Sequence, residues 1–291
     1  MLNLIIMKEL EFIKIIKDIT STEYIGDDCA YLKELGIVIT QDNFVEDVHF
    51  KKKWSTPYQI GYKATAVNIS DILAAGAKPK YLSIGLSLPK DIDEQFIEEF
   101  YRGVLAGSYG AKITGGDITG ADKIFISITA IGTTKGRKIS SRNSAKVGDI
   151  VIISGKHGLS TAGLNELITD GNNKELIQVH LEHKLDIKFS EQISKNIQRN
   201  YAMMDTSDGL ADALFKIAQA SKVTIQGKLV EGMFGAEDFK LVACVPKETL
   251  QYLDNYIEIG NVANFNGAFL EIDNKKFFNY DELDVYDHFG E

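Results

Sequence analysis

Three times in this chain a short apolar run ends on an aspartate, and that recurrence limits the possible folds more than any other feature. Residues 36–41 (Gly-Ile-Val-Ile-Thr-Gln) lead to Asp42, residues 111–116 (Ala-Lys-Ile-Thr-Gly-Gly) to Asp117, and residues 201–204 (Tyr-Ala-Met-Met) to Asp205, with Ser207 and Asp208 just beyond. An acid at the carboxyl end of a strand points at the rim of a sheet, where α/β proteins place ligands. Between these runs the spacing turns helical. Residues 8–19 carry apolar side chains at helical intervals. Ser55-Thr56-Pro57 is a hydroxyl cap followed by proline, opening a helix that runs to about Ala77. Residues 81–88 alternate apolar and small polar positions, as a half-buried strand does. A helix over 91–109 and strands over 111–114 and 124–131 follow.

Residues 135–148 are polar and patternless, and read as a linker. A second block then offers strands at 149–154, 201–204 and 239–245 and helices at 160–168, 207–220 and 247–256. Interleaved elements of both kinds predict an α/β (α+β) chain of two domains, residues 1–140 and a smaller α/β unit over 141–291.

Charge and motif content exclude several classes. Acids outnumber bases 41 to 32, for a net charge of −9, and the basic residues gather only at Lys51-Lys52-Lys53. That balance argues against a nucleic-acid partner. No apolar run is long enough for a membrane span or a leader, so a cytoplasmic location without a membrane partner is expected. The two cysteines, Cys29 and Cys244, are isolated, which disfavours a zinc or redox motif. Neither GxxxxGK[ST] nor GxG occurs, nor HExxH or GxSxG.

What remains is acid. Asp71 sits inside the apolar stretch Ala-Val-Asn-Ile-Ser-Asp-Ile-Leu-Ala-Ala-Gly-Ala, and Gly26-Asp27-Asp28 marks a turn. Two carboxylates about 4 Å apart repel by roughly 4 kcal/mol at an effective dielectric near 20. A cluster of such groups calls for a counter-cation or shifted pKa values, and hard oxygen donors match Mg²⁺. Each residue also has a plain structural use. Asp42, Asp117 and Asp205 can end turns, and Ser207 or Asp208 can cap a helix. Gly115-Gly116 can form a tight turn or let backbone approach a phosphate. Arg142 can be solvated or grip a phosphate. His49 can be a core histidine, His180 and His183 can lie on a solvated helix, and Glu237-Asp238 can be a turn pair.

In order, these residues resemble the thiamine-monophosphate kinase family. That family shares a superfamily with aminoimidazole ribonucleotide synthetase, selenophosphate synthetase and a hydrogenase-maturation protein. The matching strings are IGDDCA (25–30), TQDNFVEDVHF (40–50), GYKATAVNISDILAAGAKP (61–79), TGGD (114–117), SRNSAKVGD (141–149), MDTSDGLADAL (204–214), GAEDFKL (235–241) and YDHF (286–289). The resemblance implies direct, in-line, Mg²⁺-assisted phosphorylation of thiamine monophosphate by ATP. It also implies a homodimer that pairs through the first domain, with ATP in the groove between the domains. Asp28, Thr40, Gln41, Asp42, Asp71, Asp117, Asp205 and Asp208 fall at metal positions, with Asp42, Asp71, Asp117 and Asp208 central to catalysis. Gly116, Asp117, Arg142 and Ser207 fall at ATP positions, and His49, Glu237 and Tyr286 at thiamine-phosphate positions. The chain departs from the family pattern at Gln41, where threonine is usual, and at Asp47, where glycine is usual. Another ATP-using member of the superfamily, or a non-catalytic nucleotide-binding homologue, would carry much of the same pattern.

Overall fold

The structure, a computed structural model, describes residues 9–285. Tyr286, with the rest of the YDHF string, lies outside the described residues. The elements run α1 (Glu9–Thr20), β1 (Ala30–Leu32), β2 (Ile37–Val45), α2 (Pro57–Ala74), β3 (Lys78–Leu88), α3 (Glu94–Gly107), β4 (Lys112–Gly120) and β5 (Phe125–Thr133). They continue with β6 (Ile150–Ile153), α4 (Leu159–Ile168), α5 (Lys174–Leu181), α6 (Ile187–Asn196), β7 (Ala202–Asp205), α7 (Leu210–Ser221), β8 (Thr224–Gly227), β9 (Leu241–Val245), β10 (Ile257–Ala263), β11 (Leu270–Ile272) and β12 (Lys275–Phe277). The class is mixed α/β, with two sheets and helices packed on them.

A five-stranded sheet has the order β1-β2-β5-β3-β4, and a seven-stranded sheet the order β12-β11-β8-β10-β6-β9-β7. In the first, β3 and β4 run parallel and the other pairs antiparallel. Along β2 the even positions Val38, Thr40 and Phe44 are buried while Gln41 and Asn43 are exposed, the alternation of a strand covered on one face.

Helix α2 covers that face. Its start is well specified: the Thr56 hydroxyl accepts from Gln59 N, the Gln59 side chain returns to Thr56 N, and Pro57 fills the first turn. Thirteen of its eighteen residues are buried, distributed around the whole circumference, so the helix must lie between layers. On one side Ala64, Ile69, Ile72 and Leu73 join the core of the first sheet; the same core takes in Ile152, Met203, Ala243 and Val245 from the second sheet and Phe189 and Ile193 from α6. The opposite face of the second sheet, with Val151, Ile153, Met204 and Cys244, packs on Leu214, Phe215 and Ala218 of α7. α2 is therefore a spine shared by both sheets. Its partner α3 comes unusually close, because a Cβ on Gly103 would lie 1.9 Å from the Tyr58 carbonyl oxygen.

Several expectations are corrected. β2 continues past Asp42 to Val45, since its ladder with β5 extends to Phe125. Residues 247–252 form a 3-10 turn rather than an α-helix. α5 and α6 occupy residues 174–196, where the sequence suggested only a solvated helix at His180 and His183. α7 begins at Leu210 behind Gly209, whose φ is 113°, and neither Ser207 nor Asp208 caps it.

Candidate active site

Three acids, from a turn, a helix and a strand end, meet beside α2. Asp28, from the turn before β1, Asp71 on α2 and Asp205 at the end of β7 place ligand oxygens within 4.8 Å of one another. Residues 43 and 134 positions apart in sequence thus share one point, because α2 contacts both sheets. Donors from the same elements orient the carboxylates: Thr40 Oγ1 donates to Asp71 Oδ2 at 2.6 Å, and Ser70 Oγ donates to Asp205 Oδ2 at 2.6 Å. Asn68 accepts from the Asp42 amide at 3.1 Å and donates to the Ala64 carbonyl at 3.0 Å, fixing β2 against the helix.

Opposing charge is sparse. Arg142 reaches Asp28 at 3.0 Å, while its main-chain N–H and the Ser141 hydroxyl donate to Asp27, each at 2.7 Å. Lys216 pairs with Asp208 at 3.2 Å and Asp212 at 2.9 Å. Asp71 and Asp205 receive only hydroxyls. Burial first, then Asp42, Asp205 and Asp28, push the Asp71 carboxyl well above the ordinary range. Burial and Asp28 push Asp205 up to about 7. Burial, Asp28 and Asp208 push Asp42 up to about 6. The site is a concentration of carboxylate held at the edge of ionisation, the state that a bound cation relieves. Its donors are all oxygen. The Cys29 thiol turns aside and donates to the Asp71 carbonyl at 3.3 Å, so the set fits a hard ion such as Mg²⁺.

Not every sequence candidate joins this cluster. Gln41 points away from α2, its side chain bonded to Ser127 and Thr129 of β5. Asp117 is exposed on β4, three strands from β2, or about 14 Å at the usual strand spacing. Gly116 precedes it because the backbone there presses on β3: a Cβ would stand 1.7 Å from the Ile84 carbonyl oxygen. Arg142 is not a solvated linker residue but mostly buried beside Asp28. Ser207 lies in the turn after β7, where its carbonyl accepts from Glu237 N at 2.6 Å.

A second polar cluster sits further toward the start of α2. Lys63, buried among apolar neighbours, pairs with Glu237 at 3.2 Å and lies 3.4 Å from His180 Nε2. His180 and His183 are buried, at 4% and 2% exposure, and not on a solvated helix. Glu237 and Asp238 are no simple turn pair. Asp238 accepts from Gly158 N at 2.7 Å and Ser160 N at 3.0 Å, tethering the first turn of α4. His49 stacks on Phe44 with ring centres 5.4 Å apart, and its Nδ1 accepts from Val45 N at 3.1 Å. His49, Phe50, Trp54, Leu164 and Glu237 line a small cavity of ≈ 80 Å³. A larger one of ≈ 270 Å³ opens beside Asp27 and Asp28, between Tyr24, Tyr31 and Ser140. Lys63 was missed in the sequence, although a lone cation in an apolar helix was a usable signal.

Comparison with known proteins matches this arrangement. Residues 26–134 fit the family model described as AIR synthase related protein, N-terminal domain. Thiamine-monophosphate kinase of Aquifex aeolicus (strain VF5) is 34% identical over 92% of this chain and 95% of its own length. The kinase of Bacillus subtilis (strain 168) is 36% identical over 79% of each chain. The solved complex of AaThiL with AMPPCP and TMP superposes with a TM-score of 0.86 at 32% identity, over 97% of both chains. Among the described residues no helix is long and apolar enough to cross a membrane. With a relative this similar over nearly its whole length, the chain belongs to the thiamine-monophosphate kinase family.

Proposed function

We propose that the chain transfers the γ-phosphoryl group of ATP to thiamine monophosphate, giving thiamine diphosphate. The observation that carries this reading is the convergence of Asp28, Asp71 and Asp205 within 4.8 Å, with Arg142 alongside, in a member of this kinase family. Phosphoryl transfer asks a protein mainly for positioning and charge neutralisation. Mg²⁺ bound by these carboxylates would offset the phosphate charges of donor and acceptor. Thr40 and Ser70 hold the carboxylates in place, and Asp42 and Asp208 border the cluster. The acceptor oxygen is already ionised at neutral pH, so no side chain must remove a proton from it.

In the same reading, residues 1–140 form the Mg-ATP-binding domain that pairs in a homodimer, and residues 141–291 complete the groove. Arg142, Ser207, Gly116 and Asp117 serve ATP, the last two from the exposed strand β4. His49 and Glu237 serve the thiamine end, at the cavity they line. Pairing is supported by β4 itself, an edge strand exposed along most of its length, with Ile118 68% exposed. Such an edge is a ready template for a second chain. The test is incubation with ATP, Mg²⁺ and thiamine monophosphate, followed by chromatography. Thiamine diphosphate is the expected product, and its absence under conditions where ATP binds would overturn the reading.

A further inference from the structure

The Lys63 ammonium is engaged within the chain. It carries three N–H donors, and three acceptors surround it: both Glu237 oxygens, each at 3.2 Å, and His180 Nε2 at 3.4 Å. Because lysine only donates, His180 must accept at Nε2. Its proton therefore sits on Nδ1, facing Ser160 Oγ at 3.0 Å and Glu237 at 3.7 Å. The two ends of the ion pair differ in access. Both residues border the cavity, but the Lys63 side chain is 3% exposed and that of Glu237 29%, so the carboxylate is the more open end. Glu237 also holds a left-handed backbone, φ 62°, and Phe239 another, φ 47°. For residues with a Cβ this conformation persists only where surroundings enforce it.

We propose that Lys63 is a positioning residue for the acceptor: its ion pair holds the Glu237 carboxylate aimed into the cavity beside His49 and Trp54, and it acts through that carboxylate. The proposal rests on the functional reading above and adds a specificity role to that site. The ligand chemistry follows from the cavity. A fixed carboxylate among His49, Phe50 and Trp54 suits a cationic heteroaromatic ring system, with charge against Glu237 and ring faces against the aromatic walls. Burial is the largest influence and would raise the Glu237 carboxyl, but Lys63, His180 and His49 together bring the group below the ordinary glutamate range. Lys63 also helps burial to lower His180 to about 4, so the imidazole stays neutral and the site carries one net charge fewer than three titratable groups could give.

Steady-state kinetics on the full chain test this, with Lys63→Met, Glu237→Gln and the double variant alongside melting temperatures. In each single variant KM for thiamine monophosphate is expected to rise about tenfold or more, while KM for ATP and kcat stay within about threefold. The double variant is expected to lose no more than either single one, since the two residues act as a unit. Its melting temperature should recover above that of Lys63→Met while KM stays high. A Lys63→Met enzyme with unchanged KM would overturn the proposal. So would a fall confined to kcat, or a double variant that regains melting temperature and KM together, because the pair would then serve the fold alone. A wild-type chain that makes no thiamine diphosphate would sink the functional reading, and this assignment with it.

Discussion

Near the carboxyl end of α2, Asp71 meets Asp28 and Asp205 with hydroxyls and a single arginine for company. About two turns earlier on the same helix, Lys63 meets Glu237 and His180, a cation paired with a carboxylate of its own chain. Both clusters are buried and polar, yet one is complete and the other is not. The complete one keeps its charges paired across the joint between α2, α5 and the loop before β9. The incomplete one raises its own carboxyl pKa values. A buried group that lacks a partner within the chain marks where an outside ion belongs, whereas a saturated one marks where the chain holds itself.

Asp71→Asn separates the two kinds most sharply. Turnover should fall by about a thousandfold, or about 4 kcal/mol of barrier, because a cation ligand is lost. The melting temperature without metal should hold or rise, because a strained carboxyl is removed. Lost stability with retained turnover would reverse the comparison. Lys63→Met should do the opposite to stability, costing about 3–5 kcal/mol as an unpaired carboxylate is left in a buried site, measurable by urea unfolding with chelator present.

A pH series on the chelated protein sharpens the contrast further. Folded Asp42 and Asp205 take up protons near pH 6 and 7, against 3.8 for an unperturbed aspartate. Between those values the folded state holds more protons than the unfolded one. Stability should therefore be fullest below about pH 4 as far as these groups are concerned, decline as pH rises to about 7, and then level off. Saturating Mg²⁺ should flatten that decline, and binding should tighten as pH rises through the same window. A chelated protein whose stability climbs between pH 5 and 7 would refute the crowding of these acids.

At the small end stands Asp47, in the left-handed region at φ 68°, which glycine adopts without strain. Asp47→Gly should change stability by less than about 1 kcal/mol and leave turnover alone. A larger effect would mean that the Asp47–Lys123 pair on the surface matters as much as either buried cluster.

The acid cluster was legible in the sequence because each member broke a local rule. Asp71 interrupts an apolar helix, and Asp42 and Asp205 follow apolar runs. The fold class was legible for the same reason, as periodicity survives in single segments. The Lys63 cluster was not. Its members lie 117 and 174 residues apart, and nothing in one segment's pattern reveals a partner in another. Residues 174–196 were legible only as a solvated helix around His180 and His183, because polar residues crowd the segment and the apolar faces of α5 and α6 are short. Ser207 looked like a cap because a serine before an apolar helix usually is one, but Gly209 turns the chain and α7 starts beyond it. Gln41 occupies a strand position whose parity sends its side chain to the wrong face.

Lys63 and Asp71 stand on one uninterrupted α-helix, eight residues apart. At 1.5 Å per residue that fixes about 12 Å between them. The interval is a property of peptide geometry, insensitive to loop motion. If the ring end of a substrate is gauged at the first residue and its phosphate at the second, α2 is a ruler. Molecules too short or too long to span it would be rejected by length, before any individual contact is judged.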